Sequence, residues 1–213
     1  LALLHIYIGL RLTEGMNLGP GQTVAAWVLL LVCFVLTPVG LVAPRIRHWD
    51  VSDRFAWIGL LTMGFFSSLL VLTFLRDLVL LVMTLGGGAS PGVAYWTAVG
   101  VPLLALAVTV VGYFNARRTA RVVNVDVPLR GLPPELDGFT IVQITDVHVG
   151  PTIKRKYIDA IVDRVNELHP DAIAVTGDIV DGPVERLREH TAPLGRLRAR
   201  DGVVFVTGNH EYY

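Results

Sequence analysis

IVQITDVHVG, residues 141–150, is the stretch from which the rest of the chain can be read. Ile141, Val142, Ile144 and Thr145 form a short β-prone run, and Asp146 and His148 follow it directly. A carboxylate and an imidazole therefore sit side by side at the C-terminal edge of a buried strand, the edge where open α/β sheets bind ligands. Alone, an Asp-x-His triplet carries little information. Two later stretches repeat the arrangement: VTGDIVDG at 175–182 and VTGNHE at 206–211, each a short apolar run leading into glycine and polar residues.

Between these stretches the periodicity alternates. Phe139–Thr145, Ala172–Thr176 and Val203–Thr207 read as strands. Lys154–Leu168 puts Tyr157, Ile158, Ile161, Val162, Val165 and Leu168 at helical spacing, and Pro170 stops it. Val184–Arg198 reads as an amphipathic helix, broken near Pro193 and Gly195. Upstream, Arg121–Val127 alternates with Val123, Val125 and Val127 on one face and predicts a further strand. Pro128–Gly138, with three prolines and two glycines, predicts a loop. Strands alternating with helices argue for a layered α/β domain with parallel neighbours.

The N-terminal part is of another kind. The whole chain is 53% hydrophobic and only 17% charged, and the apolar excess lies before residue 115. Val24–Val42, Phe55–Leu75 and Val93–Phe114 are uncharged runs long enough to cross a ~30 Å hydrocarbon core at ~1.5 Å per residue. The second extends to Leu85 beyond a charged pair, Arg76–Asp77, which is read as marking an interface or pairing with itself in a continuing helix. Leu1–Leu12 is a partial segment too short to span, and Thr13–Thr23 and Gly86–Gly92 are connections. Tyr95, Trp96, Tyr113 and Phe114 fit the two bilayer interfaces. The predicted organisation is a membrane region over 1–121 and an α/β domain over 122–213.

Arg45, Arg47 and Arg54 lie in one loop and Arg117, Arg118 and Arg121 follow the third span, while the 86–92 loop has no Lys or Arg. That alternation predicts a multi-pass integral membrane protein with its α/β domain on the cytoplasmic side. Formal net charge is zero, so no nucleic-acid partner is expected, and no protein partner is expected either. Cys33, the single cysteine, reads as a small packed hydrophobe. Leu1 and Tyr213 both read as positions inside a longer protein.

Asp146, His148, Asp178 and Asn209 offer carboxylate, imidazole and amide oxygen, a mixed ligand set suited to manganese, iron or zinc. A carboxylate can bridge two ions, and two ions ~3.5–4 Å apart can polarise a phosphoryl group. The ordered motifs D-x-H, GD-x-VD-G and GNHE resemble the calcineurin-like metallophosphoesterase superfamily, and the multi-span N-terminus resembles its bacterial membrane-associated members. The resemblance covers about Val122–Tyr213 and implies a layered α/β/β/α fold, of which this stretch is the incomplete N-terminal part. It implies that Asp146 and His148 bind a first metal, that Asp178 bridges, and that Asn209 binds a second. His210 would stabilise charge or protonate the leaving group, and Asp181 would orient His210. Glu211 receives no role.

The activity implied is hydrolysis of a phosphomonoester or phosphodiester by a metal-bridging hydroxide. Membrane attachment points to a phospholipid or lipid-linked phosphate as substrate. Gly182 and Pro183 stand where the protein-phosphatase branch has Arg, which points away from phosphoprotein substrates. Three further histidine ligands belong to the family's downstream motifs, so residues 1–213 alone are expected to bind metals poorly and to be inactive. The alternative is a non-catalytic, membrane-bound binding or regulatory protein, or an inactive fragment. Among the other histidines, His5 and His48 read as interfacial or loop residues, His169 as a helix-end residue and His190 as surface. Lys154, Arg155 and Lys156 read as a solvated face.

Overall fold

The computed structural model describes residues 1–46 and 48–212. Arg47, one of the loop arginines in the topology argument, and Tyr213, the end of the predicted α/β domain, lie outside the described residues. The chain divides into two compact units, Leu1–Arg118 and Thr119–Tyr213.

The first unit is four helices: α1 (Ala2–Gly15), α2 (Pro20–Val42), α3 (Trp49–Leu85) and α4 (Pro91–Ala116). The last three are long and apolar enough to cross a membrane. Proline in the first turn sets the start of α2 and of α4. Gln22 Oε1 accepts from Gly19 N–H at 3.1 Å, and Ser90 Oγ accepts from Val93 N–H at 3.3 Å, each satisfying an N-terminal donor. The expected Thr13–Thr23 loop is consequently shorter: helix runs to Gly15 and resumes at Pro20.

Ile8, Leu12, Leu30, Phe66, Leu69, Val101 and Ala105 form the interior of this unit. Its outside is also apolar, with Val28, Leu31, Phe74 and Leu104 among many exposed side chains. Helices apolar all round belong in lipid rather than in water. Helices α2 and α3 touch backbone to backbone at Gly40 and Gly59: a Cβ on Gly59 would run into the Gly40 backbone, and one on Gly40 would lie 2.9 Å from Leu60 N. Small residues allow such approach where lipid provides no hydrophobic drive. Gly59→Leu is expected to destabilise the full-length protein in detergent by about 1–3 kcal/mol, as overpacking does. An unchanged thermal midpoint would show that the contact is dispensable.

The charged pair behaves differently from a simple interface marker. Helix α3 continues through it, and Arg76 Nη1 lies 3.3 Å from Asp77 Oδ1. Two residues of α1 also reach Asp77: Tyr7 Oη donates at 2.8 Å and Arg11 Nε at 2.7 Å. Arg76 donates to Thr97 Oγ1 at 3.2 Å and to the Ala94 carbonyl at 3.0 Å on α4. The pair thus clamps three helices together. His5 also departs from expectation. It is buried at 4% exposure, stacked on Phe66 with centroids 4.2 Å apart, because α1 packs into the unit through this face.

The second unit contains β1 (Ile141–Ile144), α5 (Arg155–Glu167), β2 (Ala172–Val175), α6 (Val184–Thr191) and β3 (Val203–Phe205). The three strands form one parallel sheet in the order β1-β2-β3, with Ile141 opposite Ala172 and Ile173 opposite Val203. Ile158, Ile161, Val162 and Val165 are the buried stripe of α5. Ile161 and Val165 share a cluster with Ile144, Ile173 and Val175, and Ile158 and Val162 share one with Val149 and Leu187.

Two elements differ from the sequence reading. Arg121–Val127 is not a strand: residues 119–129 are irregular and exposed. Alternation supplies a face, but a strand also needs a ladder partner, and among the described residues β1 pairs only with β2. The helix expected over Val184–Arg198 ends at Thr191 and tightens into a 3-10 turn at Ala192–Arg196, where Pro193 lacks an N–H for the α pattern. His190 is half-buried rather than surface.

Candidate metal centre

The strands stop, but the pairing between their following loops does not. Asp146 N–H donates to Gly177 O at 3.1 Å, His148 N–H to Asp178 O at 3.0 Å, and Val149 N–H to Ile179 O at 2.7 Å. Asp181 N–H returns to Val149 O at 2.8 Å, and Val149 and Val180 make a parallel bridge. The loops after β1 and β2 are therefore zipped in register, which sets Asp146 and His148 beside Asp178.

Their backbone is unusual. Asp146, His148 and Asp178 all have left-handed φ, at 55°, 52° and 51°. Non-glycine residues in that region cost about 1–3 kcal/mol each and persist only where their surroundings over-determine them. Gly177 precedes Asp178 with φ of 85°, and a Cβ there would collide with the Gly208 backbone. A Cβ on Gly208 would in turn meet Asp178. The loops after β2 and β3 therefore abut through glycine.

Two groupings result. One ligand atom from each of Asp146, His148 and Asp178 lies within 4.8 Å of the others, and the same holds for His148, Asp181 and His210. Asp181 Oδ1 is 3.0 Å from His148 Nδ1 and 2.6 Å from His210 Nδ1, so one carboxylate oxygen serves both rings. The rings meet edge to face with centroids 4.5 Å apart. Asp178 Oδ1 accepts from His210 N–H at 2.9 Å. Asn209 follows Gly208 on the same loop and is exposed.

The hydrogen bond with Asp181 holds the His148 pKa above the ordinary imidazole value. Burial opposes this, and the negative charges of Asp181, Asp178 and Asp146 add to it. The same negative charges would attract a metal cation, which displaces the proton from the ring nitrogen it binds. The donor set, imidazole with several carboxylates, therefore fits manganese, iron or zinc in chemistry.

Glu211, which the sequence reading left without a role, is tied into the site. Its carboxylate accepts from the backbone N–H groups of Asp178, Ile179, Val180 and Gly208. Partial burial raises its pKa, but these N–H groups outweigh it and hold the carboxyl below its ordinary value. The only sequence signal was an acid two residues after Asn209, on a glycine turn facing the GDIV loop.

Residues 139–213 match the family model described as calcineurin-like phosphoesterase. A zebrafish (Danio rerio) protein named "Transmembrane protein with metallophosphoesterase domain" is 44% identical over 115 residues, 52% of this chain and 26% of that protein. Its bovine (Bos taurus) namesake is 47% identical over 116 residues, 53% of this chain and 26% of that protein. An "Uncharacterized metallophosphoesterase" of Helicobacter pylori is 32% identical over 102 residues, 48% of this chain and 27% of that protein. The chain thus spans about a quarter of the length of these relatives. No solved structure matches it.

Proposed function

We propose, from the premise that this chain belongs to the calcineurin-like phosphoesterase superfamily, that the intact protein is a membrane-anchored hydrolase of phosphomonoesters or phosphodiesters. The observation that carries this reading is the convergence of Asp146, His148 and Asp178 within 4.8 Å at the C-terminal edge of a parallel sheet.

In this reading Asp146 and His148 would hold one ion, Asp178 would be shared with a second, and Asn209 would contribute to the second. Bound metal ions would supply Lewis acidity toward a phosphoryl oxygen and lower the pKa of water. The residues of the chain do the rest. Asp181 orients the His210 ring through the 2.6 Å contact at Nδ1. A water oxygen bonds to phosphorus as the P–O bond to the leaving group breaks; His210 delivers a proton to the departing ester oxygen, so no unstable alkoxide is released, and the proton lost by the attacking water passes to solvent, which re-protonates the imidazole. The apolar helices support a lipid-linked or membrane-proximal phosphoester as substrate. Arg45, Arg54, Arg117 and Arg118 flank the spans, and no cation lies in the 86–92 loop, which supports a cytoplasmic catalytic domain.

The full-length protein in detergent is expected to hydrolyse bis-p-nitrophenyl or p-nitrophenyl phosphate with added Mn²⁺, Fe²⁺ or Zn²⁺, and to stop on chelation. Absence of turnover with all three metals on both substrates would sink the reading. Protease accessibility in sealed vesicles tests the side of the membrane.

A further inference from the structure

Glu211 belongs to neither ligand grouping, yet it bonds to two of the loops that make the site. Oε2 accepts from Asp178 N–H at 2.9 Å and from Gly208 N–H at 2.7 Å. Oε1 accepts from Ile179 N–H at 2.6 Å and from Val180 N–H at 3.4 Å. Those donors converge because Gly177 and Asp178 are both left-handed, which curls the following N–H groups into an anion-binding concavity. An internal carboxylate fills it. The cross-link is reciprocal, since Asp178 Oδ1 accepts from His210 N–H at 2.9 Å. No slack remains between the loops, because the Gly177 and Gly208 backbones already abut.

We propose that Glu211 is a positioning residue for the metal centre: its carboxylate holds the loop bearing Asp178 against the loop bearing Asn209, and so sets the geometry of the second ion's ligands. This rests on the reading of Asp178 and Asn209 as ligands given above. Glu211→Gln isolates the effect. Glutamine replaces one carboxylate oxygen by NH₂, so in either flip two backbone donors face another donor. Glu211→Asp keeps the charge but is one methylene shorter and cannot span both loops.

The test titrates metal-free, full-length protein in detergent with Mn²⁺, reading free Mn²⁺ by electron paramagnetic resonance. The binding phase lost in Asp146→Asn identifies the first ion. Glu211→Gln is expected to weaken the second ion about tenfold or more while the first stays within about threefold, the scale of a lost outer-shell partner. Val165→Ala, a cavity in the α5 stripe that removes none of the hydrogen bonds of Glu211, controls for stability; it is expected to lower the melting point and leave both phases unchanged. Should Glu211→Gln not fold, Glu211→Asp provides the same comparison.

Second-ion affinity within about twofold of wild type in the Glu211 variant, or equal weakening by Val165→Ala, overturns the proposal, being far from the ten- to hundredfold scale. Binding of fewer than two ions by the wild type also overturns it. The readout needs no turnover. Selective loss of the second ion in a wild-type background without hydrolysis would sink the phosphoesterase reading and leave this one standing. Hydrolysis by a wild type whose second ion ignores Glu211 would do the reverse.

Discussion

Asp178→Asn is expected to cut metal-dependent phosphoester hydrolysis by the full-length protein about 10³-fold, since charge stabilisation by bound metal is worth several kcal/mol and each ~1.4 kcal/mol is a factor of ten. The substitution is unusually clean at this position. Asparagine tolerates the left-handed φ of 51° that Asp178 adopts. Its amide oxygen can still accept from His210 N–H, the 2.9 Å bond that joins the loops after β2 and β3. What is lost is the negative charge that would reach two ions. The expected pattern is therefore near-native melting, weakened metal binding and a collapse of turnover. Turnover within tenfold of wild type, with the metals still bound, would remove Asp178 from the centre.

The second large effect is expected in the first unit. Asp77→Ala strips the counter-charge from Arg76, whose side chain is only 5% exposed. Removing one partner of a buried ion pair costs about 3–5 kcal/mol, chiefly because a charge is left uncompensated. The lower figure, about 3 kcal/mol, is expected here because Arg76 keeps its bonds to Thr97 and the Ala94 carbonyl. Detergent-to-SDS unfolding of the full-length protein measures it. The double variant Arg76→Met/Asp77→Leu is expected to recover to within about 1 kcal/mol of wild type, as apolar replacements of buried pairs often do. If Asp77→Ala alone costs less than that, the clamp lies in water and contributes little.

The contrast between these two sites explains what the sequence could reveal. Each candidate ligand loop was legible because a parallel strand is a short apolar run and its site residues follow within three positions, as Asp146 follows Ile144 and Asp178 follows Val175. The spanning helices were legible because lipid demands long uncharged stretches. The clamp was not, since Asp77 finds Tyr7 and Arg11 some 70 positions away and only helix packing brings them together. His5 was misread for the same reason: its stacking partner, Phe66, belongs to another helix. Glu211 was left without a role because it bonds to backbone N–H groups, which every sequence possesses and only a left-handed turn aims. The Arg121–Val127 alternation misled in the opposite direction, offering a strand's face without a neighbour to pair with.

The sheet that carries the centre also bears on how the centre comes into being. Among the described residues every strand pair is parallel and bridges some 30 positions, Ile141 with Ala172 and Ile173 with Val203. No hairpin can start the process, and each closure must meet its loop entropy before any ladder bond rewards it. Asp146, Asp178 and Gly208 become neighbours only after both crossovers have docked. A metal held by Asp146 and Asp178 would therefore be captured late in folding, and added metal is expected to slow unfolding of this unit far more than it hastens its folding.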